Sequence, residues 1–84
     1  MKATVLLVDD EFGVRTVASR ILERHGYRVI EAPGGREAIE IASRPDTRID
    51  VLVTDMVMPG MTGRDLIASF SALRPGVPII CLTG

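Results

Sequence analysis

A parallel α/β sheet with helical crossovers is the fold class predicted for this chain, and three observations predict it. Short runs such as Thr4-Val5-Leu6-Leu7-Val8 are apolar and β-branched, the composition of strands buried on both faces. Between them lie segments whose apolar residues recur every three to four positions, the period of an amphipathic helix. Acidic residues close two of the strand-like runs, Asp9-Asp10-Glu11 after the first and Asp55 after the third. Open α/β sheets bind their ligands at such carboxyl ends.

The elements follow in order. Residues 4–8 are the first strand. From Val14 the period changes, and Val14, Val17, Ala18, Ile21 and Leu22 form a helical stripe, with Arg15, Arg20, Glu23 and Arg24 on the opposite side. Gly26 stops this helix as a residue able to turn left-handed. Residues 27–32 read as a second strand and Pro33-Gly34-Gly35 as a turn. Residues 36–44 are helical, with Ala38, Ile41 and Ala42 inward and Ile39 off the stripe; Pro45 ends them. Residues 49–54 are the third strand, and 56–63 a loop rich in methionine and glycine. Leu66, Ile67, Phe70 and Leu73 mark a third helix, ended by Pro75-Gly76. Val77 to Thr83 is a fourth apolar strand. The order βαβαβαβ implies right-handed crossovers and helices covering a parallel sheet.

The chain has 84 residues, enough for one domain, and 46% of them are hydrophobic, enough for a packed core. Ten basic residues against eleven acidic ones leave a charge of -1, so no basic surface is expected to seek nucleic acid. A single cysteine, Cys81, excludes an internal disulfide framework and fits a reducing, cytoplasmic setting. No apolar stretch approaches the roughly 20 residues of a membrane span. The start, Met1-Lys2-Ala3, runs straight into the first strand without the segments of a signal peptide.

If the first and third strands are parallel neighbours, Asp9, Asp10 and Asp55 converge at one sheet edge. Carboxylates that close repel unless a cation lies between them, and a hard divalent ion such as Mg2+ favours an all-oxygen set. Asp10, Asp55, a backbone carbonyl of the following loop and waters supply such a set, and Asp9 orients a water. A carboxylate oxygen of Asp55 can attack phosphorus and form an acyl phosphate, with the metal neutralising phosphoryl charge. Thr83 offers a hydroxyl at the end of the fourth strand.

Val5-Leu6-Leu7-Val8-Asp9-Asp10-Glu11, Asp55-Met56-Val57-Met58-Pro59-Gly60-Met61-Thr62-Gly63 and Val77-Pro78-Ile79-Ile80-Cys81-Leu82-Thr83-Gly84 together resemble the receiver (response-regulator) domains of two-component signalling. The resemblance implies a flavodoxin-like sheet, here in order 2-1-3-4, and a signalling module, not an enzyme. It implies Asp55 as the phosphoacceptor, Asp10 as a direct Mg2+ ligand and Asp9 as a water-mediated one. The backbone carbonyl of Val57 completes the ligands, and Thr83 is the switch hydroxyl. The implied donor is a phosphohistidine on a sensor histidine kinase or phosphotransfer protein. Against the family pattern, residues 1–84 lack the fifth strand with its lysine and the last helices. The expectation is therefore a receiver incomplete at its C-terminus, with metal ligands present and one cationic partner of the phosphoryl group missing. The fourth strand becomes an apolar edge prone to self-association, and the first helix loses a packing partner.

Other readings carry different marks. A phosphatase of the aspartate-nucleophile type favours a second aspartate two residues after the nucleophile, where this chain has Val57. A receiver fold kept only as an interaction or dimerisation module would retain the surfaces without phosphotransfer. Met56, Met58 and Met61 suit gap filling better than a soft metal site. His25 reads as a surface residue near a helix C-terminus, and Cys81 as a buried, inert thiol. Gly34-Gly35 lacks the lysine and spacing of a phosphate loop.

Overall fold

A computed structural model of the chain describes residues 2–82. Its elements are β1 (Thr4–Val8), α1 (Phe12–Arg24), β2 (Arg28–Ala32), α2 (Gly35–Ala42), β3 (Val51–Asp55), α3 (Gly63–Leu73) and β4 (Ile79–Leu82). The strands form one parallel sheet in the order β2-β1-β3-β4, the flavodoxin-like order expected. β1 is buried at every position, as its unbroken apolar run predicts.

Alternation along the strands divides the sheet into two faces. Leu6 and Val8 of β1, Ala32 of β2 and Leu52 of β3 meet Ala38 and Ala42 of α2 and Leu66 and Phe70 of α3 in one core cluster. Met58 joins them from the loop after β3, so the methionine packs as a gap filler. Ile39, off the helical stripe, is partly covered by the same core. Val5 and Leu7, also buried, point to the opposite face, where α1 packs over β1 and β2.

α1 departs from the sequence reading. It begins at Phe12, two residues earlier, and only Ala18 and Leu22 of the apolar stripe are half-buried. Val14, Val17 and Ile21 are each at least 50% exposed, whereas Ser19 is buried and Arg15 and Leu22 are half-buried. The face used is 15/19/22, again helically spaced. On that face the Arg15 side chain turns inward and donates to the Asp9 carbonyl just after β1 and to the Glu31 carboxylate of β2. The helix ends as its sequence predicts. Gly26 takes φ 89° and donates to the Glu23 carbonyl, while Tyr27 donates to that of Leu22, which satisfies two end carbonyls. His25 is exposed beside that end, with Nδ1 against the Ile21 carbonyl.

β4 is an outer strand of the described sheet. Ile80, Cys81 and Leu82 are exposed, so Cys81 is not the buried thiol expected of an apolar strand; no neighbour covers it among the described residues. At the opposite end of the sheet, Thr4 and Asp50 lock the start of the β1–β3 pairing. The Asp50 amide donates to the Thr4 carbonyl at 2.8 Å, and the Thr4 amide donates to the Asp50 carboxylate at 2.6 Å.

The Thr4 amide holds the Asp50 carboxyl below its ordinary pKa; desolvation opposes this, and Arg48 adds to the lowering. A depressed carboxyl contributes stability above the unfolded-state value of about 3.9, and that contribution is lost as pH falls through the folded-state value. Urea unfolding of wild type and Asp50→Asn is therefore expected to differ most near neutrality. The two curves converge on acidification below about pH 4.

Candidate functional site

The register of β1 on β3 builds the site. Val8 lies opposite Thr54, so the next residues, Asp9 and Asp55, fall side by side where the strands end. Carboxylate oxygens of Asp9, Asp10 and Asp55 all lie within 4.8 Å of one another. Asp9 is buried, Asp55 half-buried and Asp10 exposed. Asp10 and Asp55 line an open cleft together with Glu11, Val57, Met58 and Pro59.

Local hydrogen bonds aim these groups. Asp9 Oδ1 accepts the Glu11 amide at 2.9 Å, which ties the acidic turn to the start of α1. Asp55 Oδ1 accepts the Val57 amide at 3.1 Å, and its Oδ2 has no hydrogen-bond donor among the described residues. Val57 is 82% exposed and lines the cleft. The loop that follows is shaped by close packing. A Cβ on Gly63 would stand 2.7 Å from Met56 Cα, so glycine is what lets α3 begin against the residue after Asp55. Thr62 caps α3, its hydroxyl accepting the Asp65 amide at 3.1 Å.

Of the sequence-derived ligands, Asp10, Asp55 and Val57 line one cleft, and Asp9 lies buried with a carboxylate oxygen within 4.8 Å of those of Asp10 and Asp55. Thr83, the expected switch hydroxyl, lies outside the described residues. Sequence reading placed Arg15 on a solvated helix face, but it reaches the Asp9 backbone. The signal available was its position in the first turns of a helix that follows the acidic pair directly. No ion pair among the described residues involves Asp9, Asp10 or Asp55. Three carboxylates at this spacing without a protein cation fit a divalent metal with oxygen preference.

A family model for the response regulator receiver domain matches residues 5–84. The chain belongs to that family. Sensor kinase CckA of Brucella abortus is 42% identical over 82 residues, which cover 98% of this chain and 9% of that protein. Sporulation initiation phosphotransferase F of Bacillus subtilis is 28% identical over 83 residues, which cover 99% of this chain and 65% of the other. The crystal structure of a response regulator receiver domain protein from Clostridium thermocellum superposes with a TM-score of 0.92 at 33% identity, over 98% of this chain and 65% of that one. The chain thus spans less than two thirds of these relatives. Receiver domains are signalling modules of two-component systems and bind Mg2+ at an acidic pocket. In this receiver Asp9, Asp10 and Asp55 form an acidic cluster at the ends of the strands.

Gly63→Ala separates two effects. At the first position of α3 alanine gains less than the ~1 kcal/mol it gains in a helix interior, and the overlap with Met56 costs about 1–3 kcal/mol. Net destabilisation by denaturant unfolding, with weaker Mg2+ binding, is the expected outcome.

Proposed function

We propose that this receiver accepts a phosphoryl group on Asp55 in a Mg2+-dependent reaction. The observation that supports this best is that Asp55 lines a cleft shared with Asp10 and Val57 and that its Oδ2 has no hydrogen-bond donor among the described residues. In this reading Asp10, Asp55 and the Val57 carbonyl hold the ion, and Asp9 orients one of its waters. Bound there, Mg2+ would neutralise the charge of the incoming phosphoryl oxygens. Asp55 Oδ2 attacks phosphorus, an O–P bond forms, and the N–P bond of a phosphohistidine breaks. The electron pair leaves with the imidazole nitrogen. The Val57 amide holds the other carboxylate oxygen, so that Oδ2 is presented to the cleft. Thr83 is proposed as the hydroxyl that responds to the phosphoryl group. Residues 1–84 act here as one receiver unit.

The donor is a sensor histidine kinase or a phosphotransfer protein, in keeping with the names of the two relatives above. The exposed Val14, Val17 and Ile21 of α1 form an apolar groove that begins at Glu11, beside the acidic cleft. A helical surface of the donor seated there brings its phosphohistidine toward Asp55 without covering the site. The reading places phosphotransfer in the cytoplasm, with no direct role for nucleic acid or membrane; no described helix is long and apolar enough to cross one.

A second reading, an interaction module without efficient phosphotransfer, is favoured by one observation: β4 exposes Ile80 at 52% and Leu82 at 43% on an outer strand that carries no charge. Such an edge pairs readily with another strand.

Two experiments test these readings. With Mg2+ and beryllofluoride, a mimic of the acyl phosphate, wild type is expected to bind and Asp55→Asn to lose the mimic. Equal binding by both sinks the assignment of Asp55. Sedimentation across a concentration series is expected to show reversible association of the chain, reduced by Ile80→Lys. A strictly monomeric profile removes the β4 edge as an interface.

A further inference from the structure

Arg15 reaches the metal cleft from the far side. Its Nη1 donates to the backbone carbonyl of Asp9 at 2.7 Å, and its Nε donates to the Glu31 carboxylate of β2 at 3.1 Å. The guanidinium carbon stands 5.5 Å from the centre of the Phe12 ring, and the side chain is only 12% exposed. A cation so close to a cation site opposes metal binding by charge alone. Its placement must contribute through geometry if it contributes at all.

The geometry concerns Asp10. Asp10 lies beyond the end of β1, where no strand pairing fixes its backbone. The peptide before it carries the Asp9 carbonyl, held by Arg15; the peptide after it carries the Glu11 amide, held by Asp9 Oδ1. Both planes that meet at the Asp10 Cα are therefore fixed, and with them the direction in which this exposed carboxylate leaves the chain. Glu31 in turn fixes the guanidinium and offsets its charge.

We infer that Arg15 is a positioning residue of the metal site: by clamping the Asp9 carbonyl, with Glu31 as its anchor, it aims the Asp10 carboxylate into the cleft. The inference rests on the metal reading given above. Groups that orient metal ligands from behind typically change metal affinity by about 10–100-fold when removed.

The sign of the effect tests the inference. Calorimetric titration of Mg2+ into Arg15→Met, which keeps an apolar stem and loses every donor, is expected to show binding weaker by about tenfold, the lower end of that range. Arg15→Lys, which keeps the charge but has no planar fork, is expected to fall between Arg15→Met and wild type. Glu31→Gln is expected to weaken binding less than Arg15→Met, and to add nothing to it in the double variant. In the metal-free protein, the amide signals of Asp10 and Glu11 are expected to move in Glu31→Gln, an exposed substitution that leaves the core intact. Unchanged or tighter Mg2+ binding by Arg15→Met overturns the inference and leaves the metal reading standing. So do unmoved Asp10 and Glu11 signals in Glu31→Gln, should Arg15→Met fail to fold. A wild type that takes up no Mg2+ overturns the metal reading, and this inference with it.

Discussion

The parallel register of β1 on β3 is the constraint on which the site depends. With Val5 to Val8 opposite Val51 to Thr54, Asp9 and Asp55 stand together at the strand ends. A slip of one residue would turn each β3 side chain to the other face. Leu52 would leave the α2–α3 core, and Asp55 would leave the acidic pair. The slip is opposed at both ends of the ladder. Buried Leu6, Val8 and Leu52 resist exposure along it, and the paired hydrogen bonds of Thr4 and Asp50 pin its start. The energy that assembles the carboxylates therefore comes from apolar burial some distance from them. This is needed because mutual repulsion works against bringing them together.

The same separation explains how much was legible in the sequence. Core residues of α2 and α3 and the meeting of Asp9, Asp10 and Asp55 follow from apolar runs and the carboxyl-end rule, once the family resemblance supplies the strand order. Each of these is a property of a run rather than of a single side chain. The orientation of α1 was not legible. Val14, Val17 and Ile21 of its apolar stripe are exposed, while Arg15 bonds inward to the Asp9 carbonyl and Glu31 from another face. Periodicity counts apolar residues and has no term for a long cationic side chain that buries its stem and bonds inward. Cys81 was misread for a related reason. Its apolar run reads as a buried strand, yet the edge position that the order 2-1-3-4 gives β4 leaves it uncovered among the described residues.

The loop after β3 joins stability to chemistry more directly. Asp55 is the last residue of β3, and its carboxylate is held by the amide of Val57 two residues on. Met58 anchors the same loop in the core, and the Gly63 amide donates to the Met56 carbonyl as α3 begins. The loop is thus fastened at three points within eight residues of Asp55, though its outer positions Val57, Pro59 and Gly60 remain exposed. Rigidity beneath and openness above suit the metal-dependent phosphoryl acceptance proposed above.

Charge around the cleft is arranged unequally. The three carboxylates have no protein counter-ion among the described residues, whereas Arg15 has its own carboxylate in Glu31. A free arginine would have been drawn to Asp9 or Asp10 and would have competed with a metal for the same oxygens. Glu31 sits on β2, beyond β1 from Asp55, and holds the guanidinium on the backbone side of the acidic turn. The cation nearest the site is in this way kept from neutralising it. In the metal reading proposed above, one more carboxylate, outside the cleft, takes the charge that would otherwise cancel the attraction for a divalent ion.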